Sequence, residues 1–186
     1  GYYKSNCPKK IETIAKNILN HCFAYYVLGK APKILVYDDH DTVDIDKLYK
    51  NNIGDNIKIV DTEIGGVQFK IIHSKNYMLS KEKHFVNLCA NQWTVQPLAL
   101  SKILGNVNAK LEDAKGEFIY NGYVMSEVLD SHVNRERTKF DLPEQANLVE
   151  PVGFNDIVSG LESIILEYLK DDIDESNKRK LWLKKF

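Results

Sequence analysis

The sequence predicts an α+β domain, a mixed β-sheet with helices packed on one face. Three observations lead there. An amphipathic helical stretch stands near the start and a longer one near the end. Between them lie short apolar runs punctuated by Gly and Asn turn residues, several alternating with period two. The composition is that of a globular chain, with 186 residues of which 44% are hydrophobic and 27% charged.

Residues 11–28 place Ile11, Ile14, Ile18, Cys22 and Tyr25 at steps of three and four, which predicts one helix. Ser5 or Asn6 is its candidate cap, Pro8 suits a first turn, and Gly29 ends it. Pro32 forces an extended entry into residues 33–39. Four successive apolar residues there predict a strand covered on both faces. Residues 44–54 read as a short helix or turn. Residues 57–64 and 67–75 read as strands joined by a hairpin at Gly65-Gly66. Residues 84–95 predict a further strand ending in a polar turn, and 97–104 a short helix. Residues 117–133 read as a strand, a turn at Asn121-Gly122, and a second strand or short helix. Residues 135–143 form a charged loop. In residues 155–172, Ile157, Leu161, Ile164, Ile165, Tyr168 and Leu169 make one helical stripe, with Asn155 as candidate cap. The basic stretch that follows is expected to prolong this helix.

Composition excludes several classes. The net charge of −1 argues against a dedicated nucleic-acid binder. No apolar run approaches the roughly 20 residues of a membrane span. Cys7, Cys22 and Cys89 are odd in number and lack CxxC spacing, so neither disulfides nor a zinc site is expected, and a reducing cytoplasm fits. The opening residues, without Met, read as the start of an excised piece.

Common catalytic motifs are missing: no GxGxxG, P-loop, HExxH or GxSxG occurs. His21, His40, His73, His84 and His132 form no local metal pair, and no metal is expected. The acidic run 38–46 fails as a calcium loop, because counting from Asp39 puts Asp44 and Lys50 where Gly and Glu are required. Cys22 and Cys89 read as buried and inert. Cys7, near a helix start, is the better nucleophile by environment, but no partner base is signalled.

Residues 129–140 are the most informative. A strand end leads into Arg135, Arg137 and Lys139, three cations within five residues. Guanidinium groups stay charged and bind phosphate bidentately. A charged surface loop, with Glu136 offsetting the cations, is the plainer reading.

This segment resembles the motif that closes the second domain of GHKL ATPases, the superfamily of gyrase B, the ninety-kilodalton heat-shock chaperone, MutL-type proteins and histidine kinases. The motif runs aspartate, valine, a basic residue and an aromatic, matched here by Asp130, Val133, Arg137 and Phe140. Residues 84–95 resemble the family's strand and turn, where Trp93 replaces an arginine and Asn91 remains as turn former. The first helix and residues 33–39 resemble the linker helix and first strand of bacterial chaperone-like members.

The resemblance implies a transducer domain over residues 9–172, with 1–8 a linker from an upstream ATPase domain and 173–186 a basic helical extension. It implies a left-handed βαβ crossover, where periodicity alone predicts a right-handed one. Arg137 would contact the ATP γ-phosphate, with Arg135 and Lys139 beside it. The family's acidic residue, asparagine, DxGxG and glycine-rich lid are absent from this chain, so ATP and magnesium would sit in the upstream domain. No activity is expected of the fragment alone. The implied partners are that domain, a second copy of the parent, and a client protein or DNA; no membrane contact is expected. Two other readings remain. One is an interaction module that binds protein or nucleic acid through its sheet or through the basic tail of Lys178, Arg179, Lys180, Lys184 and Lys185. The other is a small enzyme using Cys7 or the 38–46 loop.

Overall fold

A computed structural model describes residues 10–52, 56–77, 83–105, 107 and 110–183. The candidate cap at Ser5 or Asn6, Pro8, Cys7, the 1–8 linker and the tail lysines Lys184 and Lys185 lie outside these residues. The elements run α1 (Ile11–His21), α2 (Phe23–Val27), β1 (Leu35–Tyr37), β2 (Thr42–Asp44), α3 (Ile45–Asn52), β3 (Ile57–Ile64), β4 (Val67–Asn76), β5 (Phe85–Ala90), β6 (Trp93–Ala99), α4 (Leu100–Leu104), β7 (Leu111–Asp113), β8 (Gly116–Met125), α5 (Glu127–Ser131) and α6 (Phe154–Leu183).

The class is α+β. The main sheet has the order β3-β4-β8-β5-β6, with β7 paired to β8. It is mixed: β5 runs parallel to β8, and the other pairings are antiparallel. The chain between the two parallel strands contains β6 and β7 as well as α4.

The helices, expected on one face, cover both. Adjacent residues on a strand point to opposite faces. Ile71, Leu88 and Val124 pack with Ile157, Leu161, Ile165 and Leu169 of α6. Their neighbours Ile72, Cys89 and Tyr123 pack with Ala15 and Leu19 of α1 and Phe23 of α2. Each face therefore has its own apolar layer. Burying side chains of this size stabilises by about 1.5–3 kcal/mol each.

The predicted opening helix is two helices that meet at Cys22. The bend turns Phe23, Ala24 and Tyr26 into the core, with Phe23 stacked on Tyr123 at 4.4 Å. Gly29, at φ 67°, ends α2 as expected. Its N–H donates to the Tyr26 carbonyl and that of Lys30 to the Tyr25 carbonyl, closing the last turn.

Residues 33–39 do not form a covered central strand. The chain reverses at Asp38, so β1 pairs only with β2, in a separate two-stranded ribbon. Leu35 and Tyr37 are left 47% and 77% exposed. The acidic run serves this reversal. Asp38 Oδ1 accepts from the N–H groups of His40 and Asp41, and Asp44 Oδ1 from Asp46 and Lys47 at the start of α3.

The Gly65-Gly66 hairpin forms as predicted, with φ values of 59° and 79°. The predicted turn at Asn121-Gly122 does not. β8 runs straight through it, paired to β4 and β5. Gly122 stands there for room rather than for a turn. A Cβ would lie 2.8 Å from the Tyr120 hydroxyl, which reaches across to His73 Nδ1 at 2.9 Å.

The turn placed at the end of residues 84–95 is the loop of a hairpin. Asn91 and Gln92, at φ 48° and 69°, join β5 to β6, and β6 continues to Ala99 before α4. The last helix begins at Phe154, and Asn155 does not cap it. Asp156 Oδ2 reaches back to the Gly153 N–H at 2.8 Å instead. The basic stretch does prolong α6, to Leu183. Among the described residues, no helix is long and apolar enough to cross a membrane.

Candidate functional site

The four residues of the sequence motif divide into one tip and three supports. Asp130, on α5, accepts the Asn91 N–H at 2.6 Å. The Asn91 carbonyl in turn accepts from the Tyr25 hydroxyl at 2.7 Å. Two segments singled out from the sequence are thus bonded to each other, 39 residues apart. Val133 and Phe140 pair across the base of the following loop, and Phe140 is buried in the core. Arg137 sits at the tip.

The loop is built around Asn134. Its N–H donates to the Lys139 carbonyl, and its own carbonyl accepts from the Arg137 N–H at 2.9 Å. Its side-chain Oδ1 accepts from Thr138 and Lys139 N–H groups at 2.8 and 3.2 Å, and its Nδ2 donates to Glu136 and Thr138. Arg137 itself has φ 53°, a left-handed conformation that costs a non-glycine residue roughly 1–2 kcal/mol. Six hydrogen bonds of one asparagine hold the chain in that state.

The three predicted cations are together on this turn, and all are exposed. They differ in partners. Lys139 pairs with Asp141 at 3.0 Å, both side chains largely exposed, a contact worth little. Neither Arg135 nor Arg137 forms an ion pair with any described residue. The expected offset by Glu136 goes to Asn134 instead.

Sequence reasoning missed a second support, His132. Its Nε2 lies 3.0 Å from Glu150 Oε1, and its Nδ1 lies 2.8 Å from the Val128 carbonyl. Partial burial pulls the His132 pKa down, but the Glu150 carboxylate and the Val128 carbonyl outweigh it, and the net shift is upward. When protonated, the ring donates at both nitrogens and ties the loop to residues 147–150. The missed signal was a histidine next to a valine-marked loop base, with its acid 18 residues away across a Pro-containing stretch.

His73, His84, His21, Cys22 and Cys89 pack within the fold. His73 is fully buried, stacked on Tyr168 at 4.2 Å, and burial and then Lys58 push it down to about 4. His84 accepts the Tyr120 N–H at Nδ1. His21 and Tyr25 pack edge-on against Trp93. Cys22 and Cys89 are buried and free, and burial pushes the Cys89 thiol up to about 12. Among the described residues, no cluster of His, Cys, Asp or Glu has the makings of a metal site.

The chain matches no protein-family model, and no curated protein or solved structure shows significant similarity to it.

Proposed function

We propose that this chain is the second, transducing domain of a GHKL-type ATPase, with Arg137 as the sensor of the ATP γ-phosphate. The observation that supports this best is the Arg137 turn: a guanidinium with no ion-pair partner among the described residues, at the tip of a loop that Asn134 holds in a strained conformation. Such strain persists where the surroundings over-determine it, and functional sites are where it gathers. Arg135 is the second cation on the turn without an ion pair among the described residues. Lys139, paired with Asp141, is the weaker candidate.

In this reading ATP and magnesium sit in an upstream domain of the same cytoplasmic polypeptide. Arg137 offsets charge on the γ-phosphate, and loss of that phosphate removes the contact. The two domains then shift, because a ligand moves an equilibrium only by its differential affinity for the two states. The transducer's left-handed crossover, a homodimeric parent and a client protein or DNA belong to the same reading.

The test is steady-state ATP turnover of the full-length protein, wild type beside Arg137→Ala. Turnover should fall roughly ten- to a thousandfold, the range for a lost charge stabiliser. Unchanged turnover sinks the assignment and leaves the interaction module, for which salt-dependent DNA binding by the fragment is the next measurement.

A further inference from the structure

The face of the sheet that α6 covers holds a buried histidine with one ring nitrogen unmet. His73 of β4 is fully buried, and its Nε2 has no hydrogen-bond partner among the described residues. Its Nδ1 meets the Tyr120 hydroxyl at 2.9 Å. Two tautomers fit that contact. If the hydroxyl donates to Nδ1, one group is left over, the Nε2–H. If Nδ1 donates to the hydroxyl, two are left over, the bare Nε2 and the hydroxyl proton. Buried polar groups are seldom left unpaired, so the first state is favoured and Nε2 carries a proton. Burial, and then the Lys58 charge, hold the His73 pKa at about 4, so the ring is neutral at pH 7.

The sheet register says where that N–H points. His73 pairs with Gly122 of β8 on one side and with Lys58 of β3 on the other. Directly paired residues share a face. The Tyr120 hydroxyl stands over Gly122, so Nδ1 is turned towards β8. The two ring nitrogens diverge, which turns Nε2 the other way, towards β3. On that side lies a cavity of about 320 Å³, lined by Lys58, Val60 and His73 of the sheet and by Ile164, Glu167 and Tyr168 of α6. That volume is at the small end of ligand sites, which run from about 300 to 1,000 Å³.

The walls carry opposite charges. Lys58 and Glu167 are both exposed, and neither forms an ion pair with a described residue. They line one cavity without pairing with each other. Val60, Ile164 and the Tyr168 ring, which stacks on His73 at 4.2 Å, supply the apolar lining. A plain anion would leave Glu167 opposed to it. A plain cation would leave Lys58 and the Nε2–H opposed to it. A small zwitterion satisfies all three.

We propose that this cavity binds a free α-amino acid: its carboxylate accepts from the His73 Nε2–H and the Lys58 ammonium, and its ammonium donates to Glu167. The ligand's side chain lies against Val60, Ile164 and Tyr168. Hydrogen bonds between ionised groups are the strong ones, which suits a small ligand with few contacts. The site does not depend on the ATPase reading.

The test titrates the full chain with each standard free L-amino acid, followed by calorimetry and by the His73 ring resonances in proton–nitrogen NMR. At least one should bind with a Kd of about 1 mM or tighter and move the Nε2 resonance. Its N-acetyl derivative lacks the ammonium and its amide lacks the carboxylate, so each should bind at least about tenfold more weakly. The free amino acid should weaken by a similar factor against Lys58→Met and against Glu167→Gln. Both of those side chains are exposed, so the variants should melt with the wild type. If no amino acid moves the Nε2 resonance, the proposal is overturned and water is the partner of His73. Binding that ignores the acetyl or amide block overturns the zwitterion. Binding undiminished in both variants overturns the site.

Discussion

Lys75 is the residue whose loss should cost the fold most for one side chain. Its Nζ lies 2.9 Å from carboxylate oxygens of both Asp113 and Asp172, with the three side chains 17%, 19% and 10% exposed. Asp113 also accepts the Tyr77 hydroxyl, and the Lys75 ammonium sits 4.6 Å over the Phe118 ring. The triad ties β4, β7 and α6 at one point. Lys75→Met fills a similar volume but leaves two carboxylates without their cation. Removing one partner from a buried pair costs about 3–5 kcal/mol, and partial exposure puts this case near the low end, about 3 kcal/mol. For a chain of this size that is a fall of about 6–12 °C in Tm. The cost depends on pH. Burial, partly opposed by Lys75, already holds the Asp172 pKa up in the wild type. Burial also pushes Asp113 up, but Lys75 and Tyr77 outweigh it and the net shift is down. Without Lys75, folded-state pKa values of both carboxyls rise. A raised acid favours folding below its unfolded pKa and loses that as pH rises, so the Tm deficit should be full at pH 7 and shrink towards pH 4. Adding Asp113→Asn and Asp172→Asn to Lys75→Met should recover most of it, since no unpaired charge remains. Thermal unfolding followed by circular dichroism measures all of this. A deficit under about 2 °C at pH 7, or one unchanged at pH 4, refutes the argument.

Three further outcomes are expected. His132, with its pKa raised, contributes stability that is full below about 6.5 and lost as pH rises through its folded value, so His132→Ala should destabilise more at pH 5.5 than at pH 9; NMR titration should place His132 above a model histidine and Glu150→Gln should lower it. Asp130→Ala should cost about 1 kcal/mol and speed amide exchange at Asn91, while Asp130→Asn, which keeps an acceptor, should restore most of the protection; equal exchange in all three proteins counts against the tie. Gly160→Ala should destabilise by about 1 kcal/mol despite alanine's better helix propensity, because the new Cβ meets the Ile64 side chain at 2.7–2.9 Å; pairing it with Ile64→Val should relieve part of the clash, and a more stable Gly160→Ala protein contradicts the packing seen between α6 and β3.

The elements legible in the sequence were those whose cause is local. The α6 stripe needs only period 3.6, and Gly65-Gly66 needs only its own freedom at positive φ. The misread elements are those whose cause their composition does not show. Asn121-Gly122 has the composition of a hairpin turn, yet Gly122 answers to the Tyr120 hydroxyl and His73, on another strand. Residues 33–39 have the composition of a central strand, yet Asp38 turns the chain back before it can join the main sheet. The second covered face was hidden for the same reason. Period two in a strand marks one buried face, and the successive buried residues Ile71, Ile72, His73 and Ser74 of β4 were the available sign of two.

The site shows the same division. Its cations were visible as a cluster in sequence, but which of them are free was not, since that depends on the partners Asp141 and Glu136 choose. Arg137 also differs from Arg135 and Lys139 in its backbone, the only one of the three at positive φ. A surface loop with no task would relax that conformation through a glycine or asparagine at no loss. Here the bulk of the hydrogen bonding is instead spent by Asn134, a residue with no charge to contribute, on keeping an arginine where a glycine would rest more easily. Arg137→Gly should therefore relieve backbone strain while deleting the guanidinium. That substitution separates the two roles of position 137. A protein that is as stable or more so, and that has lost the function of the loop, is what a strained functional residue predicts. A protein that is less stable, with function intact, is what a structural one predicts.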